Sequence, residues 1–523
     1  MHSLNILWQK RHSLLIILLS LVAILPTLPI FKSGTNGVFY NMDPEMALIG
    51  NALSYTKNGI IYYRDHPGTP TISLISLSFV PLRIYAKFIA HDNFISWTFN
   101  HFRFLFLYVR YGMILLFLTS TLVYLSSIYR ISKSIWVVIF SLFSVLAFSF
   151  TPRMGGAVLT ENLSYLLISL WLLFLVKLNQ NDNPLLTVAM FLLSGYAIGN
   201  KYNNFPLLVV TIAYILSSKG LDTFQKMLNI LVGGILSLVG FFIAIWPIRE
   251  SFVLLIKQIL KVLFQSGPNA AHGTSETLTA FDLGSYISST TNYYRSEPLA
   301  FTMLCIFFLI ILVDLFMFRI MKAKSNHKIL FQLVAVFISA IFILKYPLGY
   351  YQFPSYLLIV FYLSYFLAKV NKYIVILITF IVGFFCINNL KNYEYDLIKN
   401  INNSILLENR QEFNPPKTTT LWDYGPAEDF MKIWIRGWTG GIYDIELRNH
   451  RPDILELKSD YQTVYLNLYD HKSIFDVCWD KLYIRENRAL VFLDLYKQKK
   501  FEVTPIGNTG IWEIKSNHCT TKP

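Results

Sequence analysis

Charge is scarce in this chain. Of its 523 residues only 15% are Asp, Glu, Lys or Arg, while 54% are hydrophobic. Soluble globular proteins carry about 25% charged residues, so an ordinary soluble enzyme is excluded. Cysteine is scarce too, with four in all. Cys305 and Cys386 lie in apolar runs and read as inert packing residues. Cys478 and Cys519 lie in the polar C-terminal stretch, where a disulfide in an oxidising compartment and two unpaired thiols are both open readings. Also lacking are a P-loop, a zinc-ligand spacing, a nucleophile elbow and a dinucleotide glycine pattern. Coupling to ATP within this chain is therefore not expected. There is no internal repeat and no low-complexity tract.

What the chain does have is apolar runs. They fall near residues 13–31, 104–128, 135–152, 157–177, 185–199, 203–217, 228–246, 299–318, 329–345, 350–368 and 373–388. That makes about eleven candidate spans by the ~20-residue criterion, several of them short. The first follows a basic start and resembles a signal peptide. It lacks a convincing small-x-small cleavage site and reads as a retained helix with its basic end in the cytoplasm. The segment near 72–90 is interrupted by Pro81, Arg83 and Lys87. It reads as a helix lying on the membrane surface.

The net charge of +14 fits a topology better than a nucleic-acid patch. Starting inside, the alternate loops carry Arg130 and Lys133, then Lys177, then Lys219 and Lys226, then Arg319 to Lys328, then Lys369 and Lys372. All five obey the positive-inside rule. The loop containing "YYRDHPGTPT" (62–71), the stretch 247–298 and the tail then face outward. The tail, 392–523, is different material. Strand-like runs such as "TVYLNLY" and "ALVFLDLY" alternate with turns such as "GWTGG" and "PIGNTG", which predicts a small α/β domain. The expected fold class is thus mostly α: a transmembrane domain over 1–391, with outer loops 32–103 and 247–298, followed by an extracytoplasmic α/β domain.

With that topology the outer helix ends gather titratable groups: Asp43 and Glu45 in "MDPE", then Arg64, Asp65 and His66, then Arg153, Glu161, Lys201 and Lys345. Tyr350, Tyr351 and Gln352 lie beside them in sequence. A charge at a helix end is most often solvated or snorkelling, and a lone His is more often structural than catalytic. Glu161 is harder to set aside, because a carboxylate near lipid depth is expensive. Carboxylates and cations on one face suit one chemistry. Lys or Arg binds a lipid-linked phosphate as a leaving group, and a carboxylate takes the proton of an acceptor hydroxyl.

The order of these motifs resembles the GT-C superfamily of integral-membrane glycosyltransferases. The nearest likeness is to the protein O-mannosyltransferases and the lipid A aminoarabinose transferases. The carrying residues are Asp43 in "MDPE", His66–Pro67 in "DHPGTP", Glu161 in "LTEN", Lys201 in "GNKYNN", and "KYPLGYYQFPSYLL" from Lys345. The family commonly has two adjacent acids in its first motif, whereas Pro44 separates Asp43 from Glu45. Lys345 stands where an Arg is usual.

The resemblance implies an inverting transfer of a monosaccharide from a polyprenyl-phosphate donor to a glycan, lipid or protein acceptor. The expected setting is the outer face of a bacterial cell membrane. Asp43, Glu45 and Glu161 would be the catalytic acids, with Asp43 the general base. Lys201, Lys345, Arg153 and His66 would hold the donor phosphate. Asp65, Arg64, Tyr350, Tyr351 and Gln352 would contact substrate. Mg or Mn is a candidate cofactor, since some members of the superfamily use one. Competing readings are an oligosaccharide ligase or polymerase, a lipid-linked sugar flippase or transporter, and a tail-anchored receptor. A transporter predicts midplane charges and two similar halves. Neither is evident, apart from Asp314 near the inner end of its span.

Overall fold

The computed structural model describes residues 2–29, 42–62, 68–180, 183–259 (except 219, 254 and 258), 283–321, 327–346 and 349–409. In the C-terminal part it describes 419–423, scattered positions in 431–445, most of 454–497, and 501–516. The helices in chain order are α1 (His2–Val22), α2 (Met42–Asn58), α3 (Thr69–Ser78), α4 (Val80–Phe88), α5 (Phe94–Asn100), α6 (Phe102–Ser132), α7 (Ile135–Ala147) and α8 (Phe150–Gly156). Then come α9 (Thr160–Gln180), α10 (Pro184–Asn200), α11 (Pro206–Leu216), α12 (Thr223–Ile245), α13 (Leu283–Ser296), α14 (Pro298–Met321), α15 (His327–Ile343), α16 (Phe353–Leu367) and α17 (Lys372–Glu408). The tail adds strands β1 (Thr419–Trp422), β2 (Ile454–Leu457), β3 (Thr463–Tyr465), β4 (His471–Ser473) and β5 (Trp479–Arg485). Helix α18 (Glu486–Leu495) and strands β6 (Glu502–Pro505) and β7 (Ile511–Lys515) follow.

Among the described residues six helices are long and apolar enough to cross a membrane, or seven if the bent pair α7 and α8 is one span. This is the make-up of a membrane protein, with fewer full-length spans than the eleven runs predict. The runs at 185–199, 203–217 and 329–345 form apolar helices below spanning length. The segment expected to lie on the membrane surface forms α3 and α4. Together, Thr69–Phe88 meet the length and composition of a span.

The chain forms two compact units. One comprises Met1–Thr27, Arg64–Thr71 and Met113–Tyr393; the other comprises Leu28–Tyr63, Ile72–Gly112 and Glu394–Pro523. One of the breaks between the units falls at Tyr393/Glu394, and most of the first loop groups with the tail.

Within the first unit α10 and α12 lie unusually close. A Cβ on Gly195 would stand 1.8 Å from the Ser237 carbonyl oxygen, and one on Gly240 would stand 2.2 Å from that of Leu192. In lipid no hydrophobic force drives helices together, so small residues that let backbones touch do this work. The Ser237 hydroxyl adds a bond to the Phe191 carbonyl at 2.9 Å. Between α7 and α8 the helix turns through 84°, which strips backbone groups of their helical partners. The Ser149 N–H at that bend donates instead to Glu297, at 3.0 Å.

In the second unit the tail builds one seven-stranded sheet, ordered β4-β3-β2-β1-β5-β7-β6. The central β1 runs parallel to β2 and β5, and the outer pairings are antiparallel. The α/β expectation holds at this level. "PIGNTG" is the β6–β7 turn, with Gly507 and Gly510 at positive φ. "ALVFLDLY", read as a strand, is most of α18. Its buried contacts fall at Ala489, Phe492, Leu493 and Tyr496, the three-and-four spacing of a helix face rather than alternation. Cys478 is disulfide-bonded, Cys305 and Cys386 are free thiols, and Cys519 lies outside the described residues.

Candidate functional site

In the first unit the "GNKYNN" turn joins α10 to α11. Helical bonding ends at Lys201, whose backbone is extended, and Pro206 starts the next helix at a position where no N–H is needed. The turn's asparagines satisfy the groups this exposes. The Asn200 amide donates to the Thr160 carbonyl at 2.9 Å and to the Ser164 hydroxyl at 3.0 Å. Asn204 donates to Ser164 and to the Ala197 carbonyl. The last residues of "YYRDHPGTPT" dock on the same turn. Gly68 N–H donates to the Asn200 carbonyl at 2.9 Å, and the Thr71 hydroxyl donates to Asn200 Oδ1 at 2.8 Å. Gly68 has φ +49°, a conformation that favours glycine.

This scaffold fixes a buried ion pair. Lys201 Nζ bonds Glu161 Oε1, and both side chains are almost wholly enclosed. The Thr160 hydroxyl donates to the other Glu161 oxygen at 3.1 Å. Above the ammonium lie the rings of Tyr350 at 4.7 Å and Tyr351 at 5.3 Å, within cation–π range. The Asn203 amide donates to the Tyr351 carbonyl at 2.9 Å, which ties the aromatic turn to the lysine turn. Two buried charges cost several kcal/mol each to desolvate, so such a pair is weak evidence of stabilisation. Its use is better sought in what lies beside it.

Beside it is a cavity of about 510 Å³. Ile198, Val209, Ile338, Phe342 and Ile343 give it apolar walls, and Lys201, Tyr202, Asn203, Tyr346 and Tyr351 add polar atoms. The Tyr202 hydroxyl and Asn203 Oδ1 are buried without a hydrogen-bond partner. Buried polar atoms rarely stay unsatisfied unless a ligand or water serves them. Lys345, in the turn after α15, lies 4.4 Å from the ring of Phe342 and 5.1 Å from that of Tyr346, two residues of the cavity wall. Burial pulls its ammonium down to about 8.

The structure therefore brings Glu161, Lys201, Tyr350 and Tyr351 into direct contact, with Lys345 reached through Tyr346. Gln352 is buried but donates to the Ala340 carbonyl. Arg153 is exposed on α8. Glu45, in the second unit, spends both carboxylate oxygens on Arg110, at 2.8 and 2.5 Å, with both side chains buried. Asp43 stands in the first turn of α2, and its side chain lies outside the described residues, as do Arg64, Asp65 and His66. Among the described residues no group of three His, Cys, Asp or Glu side chains is arranged to hold a metal ion.

Three contributors escaped the sequence reading. Arg110 was hidden inside an apolar run, where a lone cation is itself the signal. The asparagines of "NKYNN" were an unusual polar cluster between two apolar runs. Glu297, in "SEPLAF", is buried where α13 meets α14 and accepts from both the N–H and the hydroxyl of Ser149. No cation pairs with it among the described residues.

Burial pushes the Glu297 carboxyl up to about 7, while the Ser149 hydrogen bonds pull the other way. Its folded pKa thus exceeds the unfolded one, so its stability contribution is complete below about 4.5 and is lost as pH rises through 7. The expected size is on the order of 3 kcal/mol. Thermal unfolding between pH 4.5 and 8 should show a falling midpoint in the wild type that flattens in Glu297→Gln. Parallel curves would remove Glu297 as the titrating group.

The chain thus carries apolar helices of spanning length and a buried cation–carboxylate pair beside an apolar cavity. No family profile matches the sequence, and no characterised protein matches it significantly.

Proposed function

We propose that the chain is a membrane glycosyltransferase, moving a monosaccharide from a polyprenyl-phosphate donor to a hydroxyl of a glycan, lipid or protein acceptor. The observation that carries this reading is Lys201, ion-paired to the buried Glu161, in the lining of a largely apolar cavity. An isoprenoid chain asks for apolar walls, and its phosphate asks for a cation at the margin. Glu161 holds Lys201 in place, and the ammonium has further N–H donors for a phosphate oxygen. Lys345 adds a second positive charge near the same wall. The unpartnered Tyr202 hydroxyl and Asn203 oxygen suit the donor and acceptor groups of a sugar phosphate.

In the reaction the acceptor oxygen attacks the anomeric carbon, and the bond from that carbon to the phosphate oxygen breaks. The electron pair leaves with the phosphate, where Lys201 and Lys345 stabilise it. The acceptor proton passes to a general base, and the configuration inverts. The resemblance to GT-C enzymes assigns that base to Asp43. It likewise assigns His66 and Arg153 to the donor phosphate, and Arg64, Asp65, Tyr350, Tyr351 and Gln352 to substrate. Glu45 fits a structural role better than a catalytic one, because Arg110 takes both its oxygens. The disulfide at Cys478 supports an extracytoplasmic tail, since such bonds persist in oxidising compartments.

The test is transfer by the purified chain in lipid nanodiscs supplied with a polyprenyl-phosphate sugar. Asp43→Asn should lower the rate by about 10²- to 10⁴-fold, the usual worth of a positioned general base. Transfer at the wild-type rate by that variant would remove Asp43 from the role. Absence of transfer from any polyprenyl-phosphate sugar by the wild type would count against the function itself.

A further inference from the structure

A second cavity, of about 520 Å³, lies wholly within the second unit, between α2, α4 and the start of α5. Its lining holds three cations, Lys57, Arg83 and Lys87, against one carboxylate, Asp92. Lys57 is fixed: it donates to the Ile442 carbonyl at 3.1 Å and lies 5.1 Å from the ring of Tyr443. Lys87 lies 5.3 Å from the ring of Phe88. Arg83 makes no ion pair among the described residues. Asp92 accepts the N–H of Asn93 at 2.7 Å. The cavity thus has an excess of two positive charges.

Helix α4 divides its surface three ways. Leu82 and Ala86 are buried. Val80, Ile84 and Phe88, spaced at i, i+4 and i+8, form an apolar stripe that is 44%, 55% and 64% exposed. Arg83 and Lys87, also four apart, flank that stripe. An exposed apolar stripe edged by cations is the pattern of a helix at the lipid headgroup boundary. Even within a span, the long side chains of Arg83 and Lys87 would reach for headgroup level, because a cation at the bilayer centre costs roughly 2.5–3.5 kcal/mol.

We propose that this cavity is a headgroup site for an anionic phospholipid. Its phosphate would sit among Arg83, Lys87 and Lys57, and its acyl chains would run along the Val80, Ile84 and Phe88 stripe. The match is one of charge and polarity: a cation excess of two for a phosphate monoester or diester, with apolar surface directly beside it. The inference stands independently of the glycosyltransferase reading.

The experiment is native mass spectrometry of the full chain in detergent, supplied with equal amounts of palmitoyl-oleoyl phosphatidylglycerol and phosphatidylethanolamine. Phosphatidylglycerol should be retained preferentially. The preference should weaken by roughly fivefold for each cation removed in Arg83→Gln and Lys87→Gln. The charge-conserving double variant Arg83→Lys/Lys87→Arg should keep it, which separates charge from folding. Equal retention of the two lipids by the wild type would overturn the proposal, as would an undiminished preference in the double Gln variant. Millimolar orthophosphate should leave the bound lipid in place, and its displacement would mark a free-phosphate site instead. Displacement by sub-stoichiometric polyprenyl phosphate would give the cavity to that lipid and also overturn the assignment.

Discussion

Lys201→Met should do two separable things: lower the stability of the protein and, on the proposed function, weaken its binding of polyprenyl phosphate. The stability loss follows from Glu161, whose carboxylate stays buried with no other ion-pair partner among the described residues. Breaking a buried pair from one side costs about 3–5 kcal/mol. Adding Glu161→Gln should restore most of that loss, because a neutral amide keeps the bond from Thr160 and carries no charge to strand. The affinity loss should persist in the double variant, since the phosphate has lost its ammonium. A hydrogen bond to a charged group is worth about 1.5–3 kcal/mol, or roughly 10- to 150-fold in affinity. Thermal unfolding in detergent reads the first effect, and titration with polyprenyl phosphate reads the second. A double variant that binds the lipid phosphate like the wild type would remove Lys201 from the donor site and leave the pair purely structural.

Arg110→Met is expected to be the most destabilising substitution in the second unit. Both oxygens of Glu45 lose their bonds from Arg110 at once, in a place with no solvent to replace them. The cost should again be about 3–5 kcal/mol. Replacing both partners by apolar residues, Glu45→Leu with Arg110→Leu, should recover most of it, because a buried pair and a packed apolar pair are often close in free energy. The double variant also decides what Glu45 does. Transfer within a few-fold of wild type makes the pair an internal brace for α2 and α6. Loss of transfer in a well-folded double variant would return Glu45 to catalysis.

How far these sites could be read in advance depended on the kind of feature. Glu161 and Lys201 stood out because each is a charge at the end of an apolar run, a local conflict visible in any short window. That they bond each other was not visible, because 40 residues separate them and the turn at "GNKYNN" sets their approach. Glu45 drew attention for the same local reason and was assigned to chemistry, while the Arg110 that claims it lies in another helix. Glu297 carries no comparable local signal, because its donor is Ser149, at the bend between α7 and α8 and 148 residues away. Helix α18 was missed because "ALVFLDLY" is apolar almost throughout, which gives no period to read until burial selects one face.

The division has a simple physical basis. Run length, residue type and the sign of loop charge are properties of neighbouring residues, and they were enough to mark a helical membrane protein with polar chemistry at its helix ends. Pairing and cavity formation are properties of residues far apart in the chain. The glycine contact of α10 with α12, the bond between Lys201 and Glu161, the brace of Arg110 on Glu45 and the cation-lined cavity beside α4 exist only once helices have packed. Packing therefore decided which of the conspicuous charges are bound to one another, and which of them border a cavity where a ligand could reach them.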